Sequence, residues 1–320
     1  MIGRTFHGGR IAEARAVYGN AEGSWLDLST GINPHSWPGA DNLEIDWHSL
    51  PDDRALADLE DAAGAYFGID PAHVCTVPGS EIGLRLLGLL GSGSTAYLAP
   101  SYRTHAEMAP GSIAVAPADL PACNAATIIL ANPNNPDGRL PDVAALVRPG
   151  RRLIVDEAFA DPAPRISAVG HVRDDRGIVV VRSFGKFFGL AGVRLGFVIG
   201  PRPLVGRLRA VLGSWPVSAA ALAIGRAAYR DRAWIAAMRR RLPADAAALD
   251  IVLARHGLRA TGACPLFRLV KTDDAAALFD RLARRNILTR PFDYDARWLR
   301  LGLPGSDHAL ARLDRALADG

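Results

Sequence analysis

The chain has 320 residues, 49% of them hydrophobic and 22% charged, with 37 Lys or Arg against 33 Asp or Glu and a net charge of +4. That length accommodates a large domain and a smaller one around a sizeable core, and the composition excludes a disordered chain. Charge is spread along the sequence, with arginine far outnumbering lysine. The one basic run, Arg239-Arg240-Arg241, falls in a helical pattern as a solvated face, so no nucleic-acid role is expected.

The first fifty residues are proline-rich and irregular apart from a helical stretch, "RIAEARAVYG"; residues 1–50 are expected to pack with the smaller domain. From about Val74 to Ile199 short apolar runs alternate with helix-like stretches. The runs are "VCTV", "STAYLA", "SIAVA", "ATIILA", "RRLIVD", "GIVVVRS" and "RLGFVIG", and "EIGLRLLGLLG" and "PDVAALVRP" are short helix candidates. Runs apolar on consecutive residues suit strands covered on both faces, which predicts an α/β domain with a mostly parallel, seven-stranded sheet over 51–205. From Pro203 the texture changes to a long Ala- and Arg-rich helical region up to Arg255. "PLFRLV", "DDAAALFDRLARR", "NILTR", "RWLRLGL" and a last helix from Ser306 follow, predicting a smaller α+β domain over 206–320. Cys75, Cys123 and Cys264 are odd in number, far apart and without metal-ligand spacing. They point to a reducing compartment rather than a disulfide frame, and to no metal. No stretch approaches the roughly 18 apolar residues of a spanning helix, and no signal-peptide core opens the chain. A cytoplasmic location without membrane contact is expected.

The chemistry centres on "SFGKFFGLAGVRLGF", where Lys186 sits three residues after Ser183 and eight before Arg194. Such a lysine is either a stem in the core with its ammonium in water, or a partly desolvated amine able to attack a carbonyl. Ser183 and Arg194 flank it at strand ends, and arginine suits a phosphate. Upstream, "VPGSEIGLRLLG" reads as strand, turn and helix start. There the backbone N–H groups of Gly79, Ser80 and Glu81 would form an anion site, unless the turn is an ordinary β–α connection. "ATIILANPNNPDGR" ends in Asn132, Asn134 and Asn135, and "RRLIVDEAFAD" ends in Asp156-Glu157. Taken singly, Asp156 also reads as a helix N-cap and Asn135 as a turn residue before proline. In an open α/β sheet, however, ligands collect at the carboxyl ends of strands.

Together, "PGSE", "PSY", "NPNNPDG", "DEAFAD", "SFGK" with Arg194 and "WLRLGL" occur in one order over nearly the whole chain. In that set the sequence resembles the aspartate-aminotransferase superfamily, fold type I of the pyridoxal-phosphate enzymes. The resemblance implies pyridoxal 5'-phosphate as cofactor, with Lys186 joining its aldehyde as a Schiff base and Asp156 keeping the pyridine nitrogen protonated. It implies that Asn135 donates to the phenolic oxygen and that Tyr102 stacks on the ring. Gly79, Ser80, Ser183 and Arg194 would hold the cofactor phosphate, and Arg300 the substrate carboxylate. A homodimer is implied too.

At position 159 the chain has Phe where histidinol-phosphate aminotransferases usually have a tyrosine, so a hydroxyl to the cofactor's phenolic oxygen is absent. Phe159, the opening "HGGR" and "WLDLSTGINP" resemble instead the cobalamin-pathway branch that decarboxylates L-threonine O-3-phosphate to (R)-1-amino-2-propanol O-2-phosphate. A phosphorylated amino acid needs a second anion site, for which His7, Asn33 and Arg290 are the candidates. Leu50 stands where relatives commonly carry a tyrosine, which puts a contact from a neighbouring subunit in doubt. The alternatives are an aminotransferase of the histidinol-phosphate or aromatic type, against which Phe159 counts, and a noncatalytic pyridoxal-phosphate-binding regulator.

Overall fold

A computed structural model of the chain describes residues 8–19 and 23–318, so the candidate His7 lies outside the described residues. Contacts divide the chain into two units. One comprises Ser36–Asn135 and Leu140–Arg239; the other comprises the described residues of Met1–His35, Pro136–Arg139 and Arg240–Gly320. The chain opens with α1 (Ile11–Tyr18) and β1 (Leu26–Asp27) of the second unit and then enters the first at α2 (Asp53–Phe67). Helix α2 starts where the Asp52 carboxylate accepts from the backbone N–H groups of Arg54 and Ala55, and stops at Gly68, whose φ of 74° only glycine takes without strain.

The sheet of the first unit is built from β2 (Val74–Val77), β3 (Thr95–Leu98), β4 (Ile113–Val115), β5 (Thr127–Ala131), β6 (Arg152–Asp156), β7 (Ile178–Ser183) and β8 (Gly196–Ile199). Its order is β2-β8-β7-β6-β5-β3-β4, with β8 antiparallel to both neighbours and the other pairs parallel. This is the mostly parallel seven-stranded sheet that the apolar runs predict. Strands β2 and β5 to β8 are buried almost throughout, because helices cover both faces. The helices are α3 (Ser80–Leu89), α4 (Thr104–Glu107), α5 (Phe184–Phe187), α6 (Arg202–Leu212) and α7 (Ala219–Arg230). "PDVAALVRP" forms only a single 3₁₀ turn, Ala144–Leu146, rather than the expected helix. Its prolines leave too few residues for a propagating helix.

The boundary expected at 205/206 falls instead at Arg239/Arg240, within α8 (Arg232–Arg255). Leu204, Val205 and Leu208 of α6 join Cys75, Val77, Val179 and Val198 of the sheet in one apolar cluster. Helix α7 lies so close to α2 that a Cβ at Gly225 would meet Leu59 Cδ1 at 2.9 Å. The compositional change at Pro203 marks exposed faces; the buried face of α6 packs on the sheet and that of α7 on α2.

The second unit adds β9 (Ala260–Thr261), β10 (Phe267–Lys271), α9 (Ala275–Arg284), β11 (Ile287–Leu288), β12 (Arg290–Pro291), β13 (Trp298–Gly302) and α10 (Asp307–Ala318). Its antiparallel sheet runs β12-β13-β10-β9, and β1 pairs parallel with β11. Helix α9 buries Leu278, Phe279 and Leu282 on one face and is capped by Asp274. Residues 136–139 join this unit through an Ala263 N–H donated to Gly138 O at 2.9 Å. Among the described residues, no helix is long and apolar enough to cross a membrane.

Candidate active site

The carboxyl ends of β5, β6 and β7 gather the polar groups of the first unit. Asp156, the last residue of β6, stands level with Ala131 of β5 and Val181 of β7 and is 6% exposed. Its Oδ1 accepts from the Ala158 N–H at 3.0 Å, so it closes a turn and not a helix. Its Oδ2 lies 3.1 Å from Nε2 of the fully buried His105. A proton on Nε2 donated to the carboxylate leaves Nδ1 as an acceptor, and Nδ1 has no hydrogen-bond partner among the described residues. His105 went unrecognised in the sequence, although "PSYRTH" carries it three residues after Tyr102. Nothing in a local pattern tells the histidine of the short helix α4 that it will meet a strand-end aspartate 51 residues later.

The Tyr102 ring meets His105 edge-on at 5.9 Å between centroids, and its hydroxyl donates to Glu81 Oε2 at 3.0 Å. Burial, and then the Glu81 charge, push this phenol up to about 12. Thr104 donates to both Glu81 oxygens, and Arg85 donates to Oε1 at 2.9 Å. The Glu81 side chain therefore ties the start of α3 to the Tyr102 loop, while its backbone stays in the first turn of α3. In the amide cluster, Asn132 donates to Ile166 O at 2.7 Å and Asn134 to Pro100 O at 3.0 Å. These two amides hold loops, and the half-buried Asn135 follows them.

Gly79, Ser80, Ser183 and Arg194 converge at one corner. Gly79 caps α3 at φ 92°, with no side chain to accept from the first N–H groups of the helix. A Cβ there would sit 2.7 Å from Arg194 Nη2. Ser183 pairs with Gly196, and a Cβ at Gly196 would lie 2.5 Å from the Ser80 nitrogen. Arg194 itself takes a left-handed φ of 56°. A glycine-capped helix N-terminus beside a guanidinium, with no Cβ in between, fits a phosphate group.

Lys186 follows β7 inside α5, half-buried among Phe184, Phe187 and Phe188, which are fully buried. Phe188 stacks on Trp234 at 5.4 Å, so this short helix is anchored by aromatic packing. The Lys186 ammonium lies 5.5 Å from the centre of the Phe159 ring, three residues beyond Asp156. Beneath, the buried Arg182 bridges Glu157 Oε2 at 2.8 Å and Asp161 Oδ1 at 2.5 Å, and Tyr66 donates to Asp161 at 2.8 Å. Burial pushes the Glu157 carboxyl up, and Arg182 opposes that. Arg182 within "GIVVVRS" was the available signal for this network, as a charge in an otherwise apolar run.

The second unit holds the remaining candidates. Arg300 on β13 is 2% exposed and donates from Nη2 to Ser29 O at 2.7 Å. Arg290 on β12 stands directly opposite it in register. Like charges opposed across an antiparallel ladder repel. Burial chiefly, and Arg290 next, push the Arg300 guanidinium down to about 9. The side chain of Arg290 lies over Phe292 at 5.4 Å. Asn33 is buried, and its Oδ1 accepts from the His35 N–H at 2.9 Å.

The family model "Aminotransferase class I and II" matches residues 40–317. The threonine-phosphate decarboxylase of Sinorhizobium sp is 41% identical over 98% of this chain and 96% of its own length. The threonine-phosphate decarboxylase of Pseudomonas aeruginosa is 39% identical over 97% and 96%. Among solved structures, the histidinol-phosphate aminotransferase from Sinorhizobium meliloti in complex with pyridoxal-5'-phosphate shares the fold. Its TM-score is 0.79 at 20% identity, over 96% of this chain and 92% of that one. The chain belongs to the class I and II aminotransferase family.

Proposed function

We propose that the protein is a pyridoxal-phosphate-dependent decarboxylase of L-threonine O-3-phosphate, releasing carbon dioxide and (R)-1-amino-2-propanol O-2-phosphate for cobalamin biosynthesis. The observation that carries this reading is the placing of Arg290 and Arg300 directly opposite one another in register on β12 and β13. A fold that sets two cations against each other is built for an anion-rich ligand, and threonine phosphate brings a carboxylate and a phosphate. The names of the two relatives at 41% and 39% identity agree with it.

In this reading Gly79, Ser80 and Arg194, with the Ser183 hydroxyl, hold the cofactor phosphate. Asp156, oriented by His105, would hold a proton at the ring nitrogen, Asn135 would donate to the phenolic oxygen, and Tyr102 would cover one ring face. Bound pyridoxal phosphate supplies an electron sink for the pair left when a bond to Cα breaks. Lys186 would be the amine that joins the cofactor aldehyde, and its ammonium would serve as the acid toward Cα. Arg300 grips the carboxylate, and Arg290 with Asn33 the phosphate, so the choice of bond to be broken is a matter of orientation. Phe159 offers a ring face to Lys186 and no hydroxyl to the cofactor.

We infer further that the enzyme is a homodimer. Trp47 is 74% exposed, Leu50 66% and Trp215 54%, large apolar side chains of the kind a subunit interface covers. Leu50 lines a cleft of about 340 Å³ with Pro51, Ala219, Leu222 and Ala223. A reducing, cytoplasmic setting suits the buried thiols of Cys75 and Cys264, which burial pushes up to about 12.

The test is a product assay of the holoenzyme on L-threonine O-3-phosphate, with and without 2-oxoglutarate. Carbon dioxide and aminopropanol phosphate formed without the keto acid are expected. Glutamate formed from histidinol phosphate and 2-oxoglutarate, with no carbon dioxide from threonine phosphate, would replace this reading with the aminotransferase one.

A further inference from the structure

The Gly8–Gly9 turn and the "WLDLSTGINP" segment meet at one buried serine. The Ser29 hydroxyl donates to Asp27 Oδ1 at 2.5 Å and accepts from the Gly9 N–H at 2.8 Å. The same Asp27 oxygen accepts from the Ser29 N–H at 2.8 Å. The Ser29 carbonyl takes the Arg300 Nη2 donor at 2.7 Å. One residue earlier, Leu28 O accepts from the Gly302 N–H at 2.6 Å, two residues beyond Arg300. The opening turn approaches so closely that a Cβ at Gly8 would lie 2.4 Å from Ser29 O, and Gly9 takes a φ of 81°.

Each contact has a physical consequence. A guanidinium buried beside a second arginine is oriented by the acceptors it meets, and one of these is the Ser29 main-chain carbonyl. A carbonyl is only as fixed as the residue that bears it, and Ser29 is held through its N–H and hydroxyl by Asp27 and through the same hydroxyl by the Gly9 amide. Two glycines in a row are what lets the opening turn reach it.

We propose that Ser29 is a positioning residue: through its hydroxyl it clamps the Gly8–Gly9 turn and the Asp27 carboxylate around the carbonyl that aims Arg300 at the substrate anion. The proposal rests on the reading of Arg300 as an anion ligand. It predicts that loss of the hydroxyl weakens substrate binding and leaves the chemical step alone.

The experiment compares the wild-type holoenzyme with Ser29→Ala and Gly8→Ala. The first removes the hydroxyl; the second pushes the opening turn off Ser29 while leaving the Asp27 contacts in place. For both, the KM for threonine phosphate is expected to rise about tenfold, the loss of one hydrogen bond supporting a charged group, with kcat within about twofold. The inhibition constant of inorganic phosphate should rise in parallel. As a readout independent of turnover, tryptic cleavage after Arg10 should be faster in both variants and should lose the protection that inorganic phosphate gives the wild type. An unchanged KM and unchanged cleavage in folded Ser29→Ala would overturn the proposal, as would equal losses in kcat and kcat/KM. If Ser29→Ala does not fold, Gly8→Ala decides by the same two measurements. A wild type that releases no carbon dioxide would refute the decarboxylase reading instead; the phosphate-protected cleavage would still judge Ser29.

Discussion

Arg300 is a cation whose surroundings resist its charge, and this has a measurable consequence. Burial, and then Arg290, disfavour the charged form and push the guanidinium down to about 9. The charge is therefore complete well below that pH and lost as pH rises through it, so inhibition by inorganic phosphate should weaken above about pH 9. Replacing Arg290 with Gln removes the second cause and should move this alkaline limb upward, while weakening anion binding at neutral pH. A phosphate inhibition series from pH 7 to 10.5 on both proteins checks the sign. His105 makes a second prediction at this scale. His105→Ala deprives Asp156 of its partner at 3.1 Å and should weaken cofactor binding by about tenfold. Cofactor release by dialysis, followed by absorbance, measures it, and His105→Gln should recover part of the loss. Lys186 is legible without any structure. The chain has only Lys186 and Lys271 for lysines, so borohydride reduction of the holoenzyme followed by peptide mapping should mark the peptide of Lys186 alone.

Among the elements, β6 and β7 bear both the site and its foundations. Asp156 stands at the carboxyl end of the central strand β6, while the next residue, Glu157, turns inward to Arg182. Arg182→Leu would leave Glu157 and Asp161 buried without their cation, which should cost about 3–5 kcal/mol of stability. Glu157 already binds its proton more tightly in the folded chain than in the unfolded one. A folded state that holds the proton more tightly gains as pH falls, so the deficit of this variant should shrink between pH 7 and 5 in urea unfolding. The strands themselves are readable because each is a continuous apolar run. The network is not readable, because pairing Arg182 with Glu157 and Asp161 depends on β6 and β7 lying side by side with Asp156 opposite Val181. Misreading α6 and α7 as part of the smaller domain has a related cause. Composition reports the exposed arginines, and only packing reveals which faces are buried.

For the molecule as a whole, Trp215 is the most telling residue. It is largely exposed and held at φ 55°, a left-handed backbone that a bulky aromatic rarely adopts. Strain of this kind persists where a surface has a use, and a second copy of the chain is the occupant inferred here. Sedimentation should give a dimer, and Trp215→Asp or Leu50→Asp should shift the protein toward monomer at micromolar concentration. Loss of activity on dilution of these variants would tie the interface to the site. A monomeric wild type would refute the dimer and leave the cofactor set of the first unit intact.

Local order along the chain was enough to predict the α/β class and the seven strands, and the ordered motifs around Lys186 carried the proposed cofactor set through their resemblance to the family. Strands that are buried on both faces must be apolar throughout, and loops that hold a charged cofactor must carry glycine, amides and charges at strand ends. Tertiary structure alone brought His105 to Asp156, set Arg290 across from Arg300 and made Ser29 a junction. Each of these joins residues distant in sequence through the register of strands or the close approach of a turn, and no local pattern encodes either.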